Sequence, residues 1–245
     1  MSIQPFKLER FYTIMFVIAI ATLFAFVQKK QKTDDRFISY IVDSQKQDLK
    51  LYWKNDQQET FKNIEQLKNW LEKNHKTLVF ATNGGMYKAD NIPQGLFIED
   101  QKTITPLDTT SGKGNFYLKP NGVFYLTADN MPFVCTTTDF AHHENIKYAT
   151  QSGPMLVIDG KIHPAFKEGS KNLNIRNGVG ILPNQKIIFA MSKKEINFYD
   201  FAKHFQSLGC TNALYLDGFV SRTYLPEQNW IQTDGDFGVI IGVTK

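Results

Sequence analysis

Four times in this chain, polar residues gathered around a glycine interrupt the apolar pattern, and that grammar limits what it can fold into. The clusters are Asn83-Gly84-Gly85-Met86-Tyr87, Gln151-Ser152-Gly153-Pro154, Arg176-Asn177-Gly178 and Asp217-Gly218-Phe219-Val220-Ser221. They stand where apolar, strand-like runs end. Glycine lets backbone approach a ligand closely and take positive φ. Asn, Gln, Ser and Arg add directional donors and acceptors suited to sugar hydroxyls and phosphate oxygens. Taken singly, each is a weak signal: Asn83-Gly84-Gly85 is a commonplace turn, Gln151-Ser152-Gly153-Pro154 can simply start a strand, Arg176 can be a surface arginine, and Asp217-Gly218 is a favoured hairpin turn.

The runs between the clusters set the fold class. "RFISYIV" and "DLKLYWK" alternate with period two and predict strands paired as a hairpin. "TLVFAT", "KIIFAMS", "NALYLDG" and "FGVIIGV" predict further strands. "QGLFIED", "NFYLKPNGVFYLT" and "PMLVIDGKIH" read as strand-turn-strand units with Asn-Gly or Asp-Gly turns. Two segments change period. Phe61, Ile64, Leu67 and Leu71 mark one helical face, with Thr60 as its N-cap, and Phe198, Phe201, Phe205 and Leu208 mark another, ended by Gly209. Two helices among about ten strands, without βαβ alternation, predict an α+β domain with mixed or mostly antiparallel sheets. A chain of 245 residues with 42% hydrophobic content can bury one such core.

Before this domain, Phe11 to Val27 is an uncharged apolar run at the short end of a bilayer-spanning helix. Ala19-Ile20-Ala21 fits a signal cleavage site, but cutting there leaves an apolar stub, which favours a retained anchor. The organisation expected is an N-terminal signal anchor or transmembrane segment over 1–27, a charged linker over 28–36 and one globular domain over 37–245. Lys7 and Arg10 before the segment, and Lys29, Lys30 and Lys32 after it, nearly balance, with a slight lean toward a cytoplasmic C-terminus.

Other chemistries find little support. The net charge of +4 is scattered, without the basic and aromatic striping of a nucleic-acid surface, so no nucleic-acid partner is expected. Cys135 and Cys210 lack zinc-site spacing and read as inert buried thiols rather than a disulfide. His142 and His143 beside Glu144 have no third ligand at suggestive spacing, so no metal and no cofactor is expected. His75 and His163 read as surface loop residues, and His204 as packed or solvated on the second helix. No nucleophile elbow, Walker loop or dinucleotide fingerprint is present.

"NGGMY", "NFYLKPNGVFY", "ATQSGPMLVIDGKIHPAF", "IRNGVGI", "NALYLDGFVSRTYLPE" and "GDFGVIIGV" occur in an order and spacing that resembles the bacterial phosphodiester glycosidase family, from about Phe37 to Lys245. That family includes the uncovering enzyme of the lysosomal pathway. The resemblance implies strand-end loops converging on one polar pocket, hydrolysis of a glycosyl-1-phosphodiester, and a domain in the periplasm or outside the cell despite the lysine flank. Carried over by position, it implies Asp217 and Arg176 as site residues; the chemistry of glycosyl transfer then makes both catalytic candidates, Asp217 as the carboxylate at the anomeric carbon and Arg176 as the guanidinium gripping the leaving phosphate. Asn83, Gly84, Gly85, Tyr87, Gln151, Ser152, Gly153, Asn177, Gly218 and Ser221 would bind substrate. Phe219 and Asn177 depart from the family pattern, and a Phe219 side chain directed inward would narrow the pocket. The alternative is a non-catalytic domain that binds envelope glycans or sugar phosphates. Intact Asp217 and Arg176 favour the enzyme.

Overall fold

The computed structural model describes residues 34–141 and 145–245. The apolar run Phe11 to Val27 and the triplet His142-His143-Glu144 lie outside the described residues. No helix among the described residues is long and apolar enough to cross a membrane.

Arg36–Lys245 forms one compact unit. In chain order it contains β1 (Phe37–Val42), β2 (Asp48–Tyr52), α1 (Ile64–Lys73), β3 (Leu78–Asn83), β4 (Phe97–Glu99) and β5 (Lys102–Thr105). Next come β6 (Gly122–Thr127), β7 (Pro132–Thr136), β8 (Ile146–Ser152), β9 (Met155–Ile158) and β10 (Lys161–Ile162). The last part holds β11 (Asn177–Ile181), β12 (Ile187–Ser192), α2 (Phe198–Ser207), β13 (Ala213–Asp217), β14 (Thr223–Leu225), β15 (Trp230–Ile231) and β16 (Ile240–Thr244).

The strands form three sheets, ordered β1-β12-β11-β13-β9-β10, β15-β14-β3-β16-β2 and β5-β4-β8-β6-β7. Every pairing between named strands is antiparallel, as the α+β reading anticipates. Residues from all three sheets, among them Phe80, Phe97, Phe124, Phe189, Leu214 and Ile241, build one buried core. Each large apolar side chain buried there contributes about 1.5–3 kcal/mol.

Both helices lie where their apolar periods predict. Helix α1 buries Ile64, Leu67 and Leu71, three residues on one face. Its N-cap is Asn63, whose side-chain oxygen accepts from the Gln66 N–H, rather than Thr60, which lies in an isolated bridge with Lys54. Helix α2 buries Phe198, Phe201, Ala202 and Phe205, and Gly209 follows it at φ 82.

Local pairings differ more. The expected β1–β2 hairpin does not form: β1 pairs with β12 and β2 with β16, in different sheets. Both strands instead pair along their full length with strands far along the chain. Asn121-Gly122 is no turn either, because Asn121 is buried and Gly122 opens β6. Asp217-Gly218 links β13 to β14 across two sheets instead of closing a hairpin. His163 is buried, not a surface residue, while His204 is packed with its ring 3.8 Å from that of Phe37. Cys135 and Cys210 are free, and burial pushes their thiols up to about 11 and about 12.

Candidate active site

Strand ends from all three sheets meet at one place. Asn83 closes β3, Ser152 closes β8, Asn177 opens β11 and Asp217 closes β13. Asn177 lies at the centre and is buried. Its Nδ2 donates to Thr82 Oγ1 (2.9 Å), the Asn83 carbonyl (2.9 Å) and Asn83 Oδ1 (3.0 Å). Its Oδ1 accepts from the Asp217 N–H at 2.9 Å and from Ser221 Oγ at 3.3 Å. One amide therefore ties the second sheet to the turn carrying Asp217.

A bulge sets the aim of that aspartate. Gly178 faces Tyr215 and Asn177 faces Asp217, so one step on β11 matches two on β13. The ladder skips Leu216, and the carbonyl of Leu216 accepts the Ser152 hydroxyl at 2.7 Å. Bulges bend a strand and redirect its side chains, and they concentrate beside functional sites. The turn beyond is closed by Ser221, whose N–H donates to the Gly218 carbonyl and whose Oγ donates to the Asp217 carbonyl, both at 2.9 Å. Gly218 is sterically required, because a Cβ there would lie 1.9 Å from the Tyr215 hydroxyl. Gly85, at φ +147, is likewise required, since a Cβ would come within 2.9 Å of Thr150 Oγ1.

The Asp217 carboxyl is mostly enclosed, and burial pushes its pKa up to about 6, against a smaller lowering by the Gly218 N–H at 2.6 Å. No ion pair among the described residues offsets its charge. Tyr87 lies within its electrostatic reach: burial raises the phenol first, and the charge of Asp217 raises it further. Asn83 contributes an unspent donor. Its Oδ1 accepts from Asn177 and from the Arg222 N–H at 3.1 Å, but its buried Nδ2 has no partner.

Strand alternation splits the adjacent pairs of the clusters. Ser152 turns toward Leu216, so Gln151 turns away. Gln151 Oε1 accepts from the N–H groups of Leu96 and Asp108, both at 2.9 Å, and its Nε2 donates to the Asp108 carbonyl (2.7 Å) and Thr137 Oγ1 (3.3 Å). Every hydrogen-bonding position of that amide is spent on holding a loop, which corrects its expected substrate contact.

Arg176 is the larger correction. Asn177 faces Asp217, and Arg176 is enclosed on the other side at 0% exposure. Its guanidinium lies 3.6 Å over the Phe198 ring. Nε donates to the Ile196 carbonyl (2.8 Å), Nη2 to the Asn172 carbonyl (2.9 Å) and Nη1 to the Tyr215 hydroxyl (3.3 Å). Burial lowers its pKa, partly offset by Tyr215. In this geometry it supports Tyr215, which underlies Gly218, and presents no fork to a phosphate. Gly84 and Gly153 serve packing. Cβ atoms there would press on Ile241 (2.8 Å) and Asn121 (2.6 Å) respectively.

Thr82, Thr150 and Tyr215 belong to the assembly although the sequence does not mark them. Thr150 Oγ1 donates to the Gly84 carbonyl at 2.8 Å. Their signal is a polar atom inside an otherwise apolar strand, one or two residues before a glycine cluster.

Residues 76–242 match the family described as phosphodiester glycosidase. YigE of Escherichia coli (strain K12), an uncharacterized protein, is 35% identical over 188 residues, covering 76% of this chain and 73% of its own. Among solved structures, the fold is similar to the catalytic domain of zebrafish N-acetylglucosamine-1-phosphodiester alpha-N-acetylglucosaminidase, auto-inhibited by its pro-peptide. The TM-score is 0.59 at 14% identity, covering 87% of this chain and 85% of that one. A hypothetical protein from Synechocystis is similar at TM-score 0.55 and 12% identity, over 85% of this chain and 59% of the other.

Proposed function

The chain belongs to the phosphodiester glycosidase family, and on that premise we propose that it hydrolyses glycosyl-1-phosphodiesters with Asp217 as the working carboxylate. The observation that carries this reading is an enclosed carboxyl raised to about 6, without a cationic partner, on a turn fixed by Asn177, Ser152 and Ser221. A purely structural aspartate would gain from an ion pair or several donors. This one is held in a costly environment, as groups poised for chemistry are.

Hydrolysis breaks the bond between the anomeric carbon and the phosphate oxygen. The electron pair leaves with the phosphate monoester, while water oxygen ends on the carbon. A phosphate departs far more readily than a sugar alkoxide, so strong acid assistance is dispensable. The carbon needs a base or nucleophile, and Asp217 supplies either once ionised, above about pH 6. Tyr87, half-buried and within electrostatic reach of the carboxylate, is the side chain that would orient hydroxyl or phosphate oxygens, while Asn83, enclosed at 0% exposure, acts through its bond to Asn177. Arg176 acts from behind, by fixing Tyr215 under the turn.

The apolar run Phe11 to Val27 supports a location at the cell envelope; the family resemblance, against the slight lean of the flanking lysines, favours a domain outside the cytoplasm. The test of the activity is to incubate the full chain with a panel of sugar 1-(methyl phosphate) diesters and measure released sugar. Release by the native chain, lost by orders of magnitude in Asp217→Asn, is the expected result. Equal turnover by the variant refutes the role of Asp217.

A further inference from the structure

We propose that Phe219 is the stacking platform for the substrate's sugar ring, a specificity-determining side chain carried on the same turn as the carboxylate; this rests on the reading that Asp217 works on a glycosyl phosphodiester. Phe219 is 90% exposed, whereas no other large apolar side chain among the described residues exceeds 57%. An aromatic ring left in water contributes nothing to folding, so packing within the domain does not explain it.

Nor is the ring exposed because its segment lacks structure. Both ends of the turn are fixed. The Asp217 N–H donates to Asn177, and the Ser221 N–H closes onto the Gly218 carbonyl, each at 2.9 Å. Val220, on the far side of Phe219, packs against the buried cluster that includes Tyr52, Phe61, Tyr224 and Ile240. A well-held turn thus projects one unpacked ring two residues from a carboxylate raised to about 6. Tyr87, half-buried and within electrostatic reach of the same carboxylate, gives the site a second ring.

The chemistry of such a site fits a pyranose. The negative face of a phenyl ring attracts the weakly positive C–H groups of a sugar's apolar face. The nearby carboxylate and the Tyr87 hydroxyl address its polar edge. Covering one face of the ring also removes apolar surface from water. Because the turn is fixed beforehand, little ordering entropy opposes this contact.

The experiment uses the full chain, its Phe219→Ala and Phe219→Trp variants, and the 1-(methyl phosphate) diesters of N-acetylglucosamine, glucose and galactose. Phe219→Ala should raise KM for the preferred diester about tenfold, with a smaller effect on kcat and an unchanged melting temperature. Phe219→Trp should restore KM, and its indole fluorescence should change on adding the diester. An alanine variant with native KM, beside an active native chain, overturns the platform and leaves the hydrolase reading intact. If the native chain releases no sugar from any diester, that reading fails. The tryptophan titration then decides the platform alone, since saturable quenching by a diester upholds it and a flat titration overturns it. Loss of binding to phosphatidylglycerol vesicles in Phe219→Ala, with KM unchanged, also overturns it.

Discussion

Replacing Asp217 with asparagine should make this protein more stable while abolishing its chemistry. Burial moves the carboxyl from its ordinary 3.8 to about 6 in the folded chain, which corresponds to about 3 kcal/mol. The sign follows from proton binding. Below about pH 4 both folded and unfolded chains hold the proton, and the site costs nothing. Between about 4 and 6 the unfolded chain releases it first, so stability falls as pH rises. Above about 6 both states are ionised and the full penalty remains. Asparagine keeps the shape, and its oxygen still accepts the Gly218 N–H, but it never ionises. Melting curves of native and variant chains should therefore converge near pH 4. By pH 8 the variant should melt higher by about 6–12 °C, at about 2–4 °C per kcal/mol for a domain of this size. A variant that melts at or below the native chain at pH 8, or a gap independent of pH, would refute the idea that the carboxylate is held against its solvation.

Further outcomes follow from the same geometry. The acidic limb of kcat/KM should bend near pH 6, where Asp217 ionises; a limb near 4 would mean a solvated carboxylate. Asn177→Ala should destabilise the domain by about 3 kcal/mol in urea unfolding, because it strands buried partners on Asn83, Asp217 and Ser221. It should also depress kcat, since the Asp217 turn loses its anchor. His163 is held neutral. Its Nδ1 accepts from the Ala165 N–H at 3.1 Å while Nε2 faces the Lys119 carbonyl at 3.2 Å, and burial lowers its pKa. The unfolded chain then binds the proton first as pH falls below about 6.5. Stability should drop with acidification from that point, and His163→Gln should flatten that part of the profile.

Much of this was legible from residue types, and the part that was not has a geometric cause. Glycine clusters at the ends of apolar runs did identify the four segments that meet, because strands carry their ends to a common rim. The helices were legible because Ile64, Leu67 and Leu71, or Phe198, Phe201 and Phe205, leave a local periodic trace. Strand partners leave none: nothing near Phe37 announces Ser192 opposite it. The same limit applied within the site. Gln151 and Ser152, like Arg176 and Asn177, are neighbours on strands, so only one of each pair can face Asp217. Composition named both, and alternation, once register was fixed, retained Ser152 and Asn177. The skipped Leu216 lay further out of reach, since a bulge is a property of two strands and neither sequence alone encodes it.

The distances along the chain between the parts of the site bear on when it comes into being. Ser152 reaches Leu216 across 64 residues, Asn177 reaches Asn83 across 94, and Asp217 is met from Asn177 across 40. Loop closure of that kind delays assembly, because each contact waits for the sheets on both sides to exist. Neither helix nor any single sheet carries enough of the constellation to bind or react on its own. A folding chain can thus acquire most of its secondary structure while remaining chemically inert. During refolding, the return of catalysis would trail the return of β-structure and report the docking of the third sheet.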